Sequence, residues 1–589
     1  MIRNMKNFYT PLRIISLLIL PLQYGTAQNS RNDAPEISGD SIIYHLNSLG
    51  ENVFVFNSKM DMKKVQNLID SIYNKQSSKK SEFNENRFAL LFKPGNYNLD
   101  IRVGYYMHII GLGESPEDVV ITGAVRSKST NVRNHVLSNF WREAENLTVI
   151  PTIEPANVWG VSQAAALRRI YIKGDLQLHD GGYASGGFLA DCRIDGTILS
   201  GSQQQWFSRN AALKEWEDGQ WNIMFMGVSG APPANWPEGP ITTLETTPFV
   251  REKPYLIFKK GTFYIKIPDG KENSSGPGWL NGNKDEKAIS LDEFYIVKQG
   301  CPADSINSAL RKGKNLLFTP GIYTLEKSIN VTAPGTIIMG IGMPTLLPIQ
   351  GNTIMEISDV DNVTLSGLIF EAGKTPSETL LQVGEPNCGN DHSDKPSFLF
   401  DVFFRVGGAM EGSAASCLTI NSNNVFIDHT WLWRADHGNG VGWDKNRCAT
   451  GLIVNGNHVT IYGLFNEHFQ EYQTIWNGDH GRMYFYQSEL PYDPPSVESW
   501  KHDSTKGFAS YKVADSVKTH EAWGLGIYSF FRSTPVIEDN AIEVPQYLEK
   551  DIHHKFTFWL GGNKESKIVS VINGKGESVH ESNRKSVMD

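Results

Sequence analysis

The segment FALLFKPGNY, residues 88–97, returns as NLLFTPGIY at residues 315–323. In both copies an apolar run precedes a Pro-Gly turn and a tyrosine, and a similar Ile-Ile segment follows at residues 109–113 and 337–342. A repeat of this kind indicates that one structural unit occurs twice along the chain. We therefore predict two modules of one architecture, each starting with a buried strand, a tight turn and a further strand.

A short helical pattern precedes each copy of the repeat. Residues 62–72 place Val65, Leu68, Ile69 and Ile72 on one face at helical spacing, and Ile306 and Leu310 lie four residues apart before the second copy. Side chains three or four residues apart share one face of a helix. We expect each helix to close the open end of a module and to shield its apolar core.

Short Asn-led segments recur after each start. Asn146, Asn362, Asn424 and Asn457 each open a stretch in which apolar residues alternate, as in half-buried strands. Asparagine tolerates the left-handed conformation that a bend requires. Their unequal spacing favours stacked coils with variable side loops over a β-propeller or a pair of sandwiches. The predicted fold class is all-β, with two tandem right-handed parallel β-helix modules.

The module boundary is placed in the polar stretch from Pro268 to Asp285, which is rich in Gly, Asn, Ser and Lys. Residues 50–285 would form the first module and residues 286–589 the second. Before them, Arg3, Lys6 and Arg13 precede an apolar run, and small residues follow at Gly25-Thr26-Ala27. This pattern predicts a signal peptide of residues 1–27 and a secreted or periplasmic protein. The alternative is an uncleaved anchor, although the run is short for a bilayer.

The composition excludes several classes of function. The chain has 589 residues and a formal net charge of −9, which argues against nucleic acid because phosphate binding needs a basic surface. The five cysteines match no zinc pattern, and one pair, such as Cys417 with Cys448, is a candidate for a disulfide. We expect no metal, no cofactor and no membrane partner.

The region from Asp428 to Asp493 holds the densest mixture of carboxylates, histidines and aromatic residues. A sugar site needs this mixture, because aromatic faces stack on sugar rings and two carboxyls flank the scissile bond. Glu467 and Glu489 are 22 residues apart, about one compact coil, so both carboxyls would lie on one face of neighbouring coils. Two close carboxylates resist joint ionisation, which keeps a proton on one of them for general acid catalysis. The alternative is that both glutamates bind backbone amides in turns.

The pattern Glu467-His468 followed by YQSELPY at residues 486–492 resembles the active-site region of family-55 glycoside hydrolases. These laminarinases are β-1,3-glucanases with two pectate-lyase-like β-helices in one chain, so the fold and length are similar as well. The resemblance implies that Glu489 is the general acid, that Glu467 lies in the same site and that the sugar configuration is inverted. It also implies a polysaccharide or oligosaccharide substrate, most simply β-1,3-glucan.

The remaining predicted site residues are substrate contacts around this carboxyl pair. They are Asp436, His437, His468, Gln487, Tyr492, Trp433, Trp476 and Gln204. We expect a monomer. Two alternatives stay open at this point, namely a polysaccharide lyase of the β-helix type and a non-catalytic glycan-binding protein.

Overall fold

The computed structural model describes residues 44–45, 49–281 and 286–589. The predicted signal peptide, residues 1–27, lies outside the described residues. In the part of the chain that is described, no helix is long and apolar enough to cross a bilayer.

The first half of the chain forms a stack of parallel coils. Their main ladder consists of Val53–Phe56, Phe88–Phe92, Met107–Gly111, Arg142–Pro151, Ala165–Ile172, Phe188–Ala190, Gln205–Arg209, Asn222–Met226 and Ile241–Leu244. Further parallel strands cover its sides, namely Gly95–Arg102, Val119–Arg126, Ala156–Val158, Asp175–Gln177, Arg193–Leu199 and Ala212–Glu217. Tyr44–His45 adds an antiparallel pair at the start.

The second half repeats this architecture with two long parallel ladders. The first ladder is Phe294–Val297, Asn315–Phe318, Ile337–Gly340, Thr364–Glu371, Ser397–Val406, Val425–Arg434, Thr460–Glu467, Gly481–Glu489, His520–Ser529 and Ile552–Trp559, closed by the antiparallel Lys585–Met588. The second ladder is Ile329–Val331, Met355–Ile357, Ser377–Val383, Ala414–Ile420, Thr450–Val454, Thr474–Trp476, Tyr511–Val513, Ile537–Glu543 and Lys567–Ile572. Ile322–Leu325 and Thr345–Pro348 pair at the side, and Lys501–His502 and Thr505–Lys506 form a small hairpin. The predicted all-β fold of tandem parallel β-helices is confirmed.

A helix precedes each copy of the repeat, as predicted, and follows the first strand of its ladder. Met62–Gln76 is capped by Asp61, whose Oδ1 accepts hydrogen bonds from two backbone N–H groups. It buries Val65, Ile69 and Ile72, whereas Leu68 is only partly buried against the core. Ala303–Arg311 buries Ile306 and Leu310 in the same way. The described 3₁₀ helices are Lys79–Phe83, Pro116–Asp118, Gly278–Asn281, Leu291–Glu293 and Gln546–Asp551.

The Asn-led segments bend as the sequence predicts, with one exception. Asn146, Asn362 and Asn424 have φ angles of 57°, 57° and 54°. In the fourth segment the left-handed residue is His458, at 57°, rather than Asn457. Asparagine lowers the cost of this conformation without being required for it.

Antiparallel strands separate the two stacks where a polar boundary segment is predicted. Thr247–Val250 pairs with Lys271–Ser274, while Tyr255–Lys259, Thr262–Ile267 and Lys287–Ser290 form a second small sheet. The side chains of Leu256 and Ile265 join a buried cluster with the first coils of both stacks. These antiparallel strands therefore pack against both stacks.

Each β-helix has its own apolar core, and a third, aromatic cluster lies between them. That cluster joins Trp141, Phe188 and Phe207 of the first β-helix to Trp431 and Phe465 of the second. Cys417 and Cys448 lie in the core of the second β-helix as free thiols, so the candidate disulfide is absent between these described residues. The interface between the stacks thus forms a continuous buried layer, and the candidate site lies at its edge.

Candidate active site

Glu467 and Glu489 end two neighbouring strands of the second β-helix. The strands pair in parallel with Phe465 opposite Gln487, and carrying this register on by two residues sets Glu467 beside Glu489. The backbone N–H of His468 donates to the Glu489 carbonyl oxygen at 2.8 Å, which continues the ladder. Both glutamate side chains therefore lie on one face of adjacent coils, about 4.8 Å apart at the backbone.

Both carboxyls line a cavity of about 840 Å³ between the two β-helices. Eight of the ten predicted site residues lie on its wall: Glu467, Glu489, Asp436, His437, His468, Tyr492, Trp433 and Gln204. Gln204 comes from the first β-helix. The cavity is therefore built by both halves of the chain.

Glu467 is 3% exposed and accepts a hydrogen bond at each oxygen. Gln163 Nε2 donates to Oε1 at 2.8 Å, and Trp431 Nε1 donates to Oε2 at 2.8 Å. Burial and the nearby charge of Glu489 raise the pKa of Glu467 to about 8. Glu467 therefore keeps its proton up to near-neutral pH, as a buried carboxyl beside a second carboxyl does.

Glu489 reaches the cavity more openly, with a side chain that is 14% exposed. Tyr492 donates its hydroxyl to Glu489 Oε2, and His468 Nε2 lies 3.6 Å from the same oxygen. Although burial disfavours the imidazolium, the carboxyls of Glu489, Asp436 and Glu467 raise the pKa of His468. One wall of the cavity thus carries an accessible carboxyl held by a hydroxyl and an imidazole.

Asp436 and His437 form a second charged group on the wall. His437 Nδ1 lies 2.8 Å from Asp436 Oδ1, and its Nε2 lies 2.6 Å from Glu82 Oε1. Although burial opposes both charges, these contacts raise the pKa of His437 to about 10, and His437 and other nearby cations lower that of Asp436 to about 2. Both groups are ionised at neutral pH.

Two predicted contacts do not line the cavity. Trp476 is fully buried in the core of the second β-helix, where its ring packs against His520, because it lies on the second ladder and points inward. That assignment to the sugar site is wrong. Gln487 is also fully buried and does not line the cavity, but it lies two residues before Glu489 on the same strand, and its side chain opposes the rise in the pKa of Glu467.

Several wall residues were missed because they are distant in sequence. Gln163, which bonds Glu467 across 304 positions, is itself bonded by Ser185, whose Oγ donates to Gln163 Oε1 at 3.1 Å. Aromatic residues of both β-helices complete the wall: Tyr105, Phe140, Tyr183, Trp221, Trp431, Phe530 and Phe558. No local motif marks those of the first β-helix, since only the packing of one β-helix on the other brings them to the carboxyls.

Comparison with known proteins identifies the family. A family model described as the LAM55 pectate lyase-like domain matches residues 294–489. An exo-β-1,3-glucanase of Streptomyces sp. (strain SirexAA-E / ActE) is 42% identical over 533 residues, which is 90% of this chain and 87% of that protein. The chain belongs to glycoside hydrolase family 55. This family-55 protein is therefore a glycoside hydrolase, and the lyase and non-catalytic alternatives are set aside.

Solved structures support the assignment to this family. The structure of sacteLam55A from Streptomyces sp. SirexAA-E has a TM-score of 0.89 and 40% identity, covering 92% of this chain and 98% of that one. A variant of the same enzyme, solved in complex with glucose, matches with the same values. The likeness extends through both β-helices rather than the second alone.

Proposed function

We propose that this family-55 hydrolase cleaves β-1,3-glucan from a chain end, as the name of its exo-β-1,3-glucanase relative suggests. The observation that carries the proposal is the pair Glu467 and Glu489, set on adjacent coils in an aromatic-walled cavity. The described residues form no ion pair between Glu467 and an arginine or lysine. Carboxyls without a fixed cation are free to exchange protons with a substrate.

In this proposal Glu489 is the general acid. Its carboxyl is the more exposed of the two, whereas both oxygens of Glu467 are already occupied by N–H donors. Those donors favour the ionised form of Glu467. In the sugar complex the proton is proposed to lie on Glu489 and to pass to the glycosidic oxygen as the bond breaks. Tyr492 and His468 orient the acid through Oε2.

Glu467 is proposed to accept the proton of the attacking water. Gln163 and Ser185 extend its hydrogen-bond chain along the wall of the first β-helix, which supports a water held on that side. A water that attacks from the face opposite the leaving group inverts the anomeric configuration. The sugar ring is proposed to stack on Trp433, with Asp436 accepting from its hydroxyl groups.

The proposal extends to the protein as a whole. Residues 50–285 and 286–589 are taken as its two modules, supported by the separate parallel ladders on either side of the antiparallel segment. The basic and apolar pattern of residues 1–27 supports export, secreted or periplasmic, and the enzyme is taken to act as a monomer.

Hydrolysis of linear β-1,3-glucan, followed by proton NMR of the first products, tests this function. The expected result is release of short products from chain ends, with α-anomeric signals appearing before mutarotation. Hydrolysis only of β-1,4- or β-1,6-glucans would contradict the substrate. Initial β-anomers would contradict inversion.

A further inference from the structure

Glu82 lies outside the strands that carry the carboxyl pair, yet it reaches the same cavity. It belongs to the 3₁₀ helix Lys79–Phe83 of the first β-helix and is 1% exposed. Its Oε1 is 2.6 Å from Nε2 of His437, a residue 355 positions away in the second β-helix. Since His437 also bonds Asp436 at 2.8 Å, Glu82, His437 and Asp436 form a chain of three charged groups along the wall.

Contacts on both sides fix the position of Glu82. Tyr106 donates its hydroxyl to the Glu82 carbonyl oxygen at 2.5 Å, and Arg405 of the second β-helix donates to that hydroxyl at 2.7 Å. The neighbouring Phe83 ring stacks on Trp433 with an interplanar angle of 3°. A carboxylate anchored through its backbone and its neighbour imposes its position on the imidazole that it bonds.

Charged groups from several parts of the chain surround His437. Asp436 on its own loop and Glu82 on the 3₁₀ helix contact the ring directly. Arg532 Nη2 lies 3.4 Å from Asp436 Oδ2, and His468 acts on the same carboxylate. Lys79 lines the cavity nearby. Of these groups, only Glu82 and Asp436 accept hydrogen bonds from His437.

We propose that Glu82 is a positioning residue for glucan binding, which acts through His437 to hold Asp436 as an ionised acceptor for a sugar hydroxyl. The inference rests on the proposed function of the cavity. Because both ring nitrogens of His437 are engaged by carboxylates, the ring stays charged and cannot turn away from Asp436. The first β-helix thus does more than line the cavity, since Glu82 orients Asp436, a substrate-binding residue of the second β-helix.

Glu82→Gln is the sharpest variant because it keeps the size of the side chain and an acceptor oxygen but removes the charge. We expect kcat/KM on β-1,3-glucan to fall on the order of tenfold, mainly through a higher KM, since one charge-assisted hydrogen bond is weakened. With one carboxylate fewer, the pKa of His437 falls, so His437 loses its proton as pH rises. A new decline of kcat/KM above neutral pH is therefore expected.

Two controls separate positioning from folding. Glu85→Gln changes an exposed carboxyl three residues away, and this variant should have the same pH profile as the wild type. In a His437→Asn background, Glu82→Gln should have no further effect on kcat/KM, because its influence passes through the imidazole. Thermal unfolding of every variant checks that the fold is intact.

The outcomes separate this inference from the function on which it rests. A wild type that hydrolyses the glucan, with a Glu82→Gln variant of unchanged pH profile, would overturn the positioning role alone. An equal effect of Glu82→Gln with and without His437 would also overturn it. A wild type without activity on β-1,3-glucan would overturn both the inference and the proposed function.

Discussion

Two buried groups of carboxylates lie between the β-helices, and they differ in whether arginine side chains contact them. One, here called the arginine cluster, consists of Arg168, Arg209, Asp401 and Asp428. Arg168 contacts both aspartates at 2.7 and 2.8 Å, and Arg209 contacts Asp428 at 2.9 Å. The other group is the carboxyl pair, for which the described residues supply hydrogen-bond donors but no arginine or lysine as an ion-pair partner.

The pKa of Glu467 shifts in the opposite direction to those of Asp401 and Asp428. Although burial opposes ionisation in both, Arg209 and Arg168 lower the pKa of Asp428, and Arg168 and Lys253 hold that of Asp401 well below its usual range. Burial and Glu489 raise the pKa of Glu467. Where arginines face the buried carboxylates, ion pairs join the two β-helices. Where no arginine or lysine faces it, as at Glu467, the carboxyl can exchange its proton.

The largest stability effect is expected where a carboxylate of the arginine cluster is neutralised. Asp428→Asn keeps the shape but leaves two buried guanidinium groups with less counter-charge. We expect the free energy of unfolding to fall by about 3 kcal/mol, the lower end for broken buried pairs, because each arginine keeps a second carboxylate. Urea unfolding measures this value. A loss below about 1 kcal/mol would remove the distinction between the two groups.

Glu467→Gln removes a carboxyl whose pKa is raised rather than lowered. The pKa of Glu467 is raised on folding, so the native state binds more protons than the unfolded state between about pH 4 and pH 8. Its contribution to stability is therefore lost as pH rises through this window, by at most about 1.4 kcal/mol per pH unit. The variant should decline less than the wild type between pH 5 and pH 8 in unfolding experiments. A steeper decline would show that Glu467 is stabilised as an anion.

A smaller effect is expected at Asp493, which is intermediate between the two groups. It pairs with Arg434 at 2.9 Å but is 28% exposed, and Arg434 also donates to backbone carbonyls of Asn446 and His468. Asp493→Asn should lower the free energy of unfolding by about 1 kcal/mol, because water and these carbonyls replace the lost partner. A cost equal to that of Asp428→Asn would mean that exposure does not decide the strength of these pairs.

The sequence predicts the parts of this molecule that are local. The repeat at Pro94 and Pro320 marks both starts, the helices follow from their spacing, and the 22 residues between Glu467 and Glu489 predict their place on adjacent coils. A pattern on one strand does not say which ladder the strand joins. Trp476, on the second ladder, was therefore misplaced in the site.

What the sequence could not predict depends on contacts between the two β-helices. Gln163 and Glu82 reach the site across 304 and 355 positions, and neither lies in a motif. The polar residues of 268–285 predict a module boundary, whereas the packing of Leu256 and Ile265, just before it, depends on a cluster that only the fold assembles. Long-range packing, and not local pattern, supplies half of the cavity.

The most direct test of the central claim compares two leaving groups in the Glu489→Gln variant. On unactivated β-1,3-glucan the leaving oxygen must be protonated, so we expect kcat to fall by about 10²–10⁴-fold. On an activated aryl β-glucoside, whose phenolate leaves without a proton, the same variant should lose far less. Glu471→Gln, an exposed carboxyl nearby, should match the wild type on both. Equal losses on the two substrates, or near-normal hydrolysis of the glucan, would contradict the assignment of Glu489 as the acid.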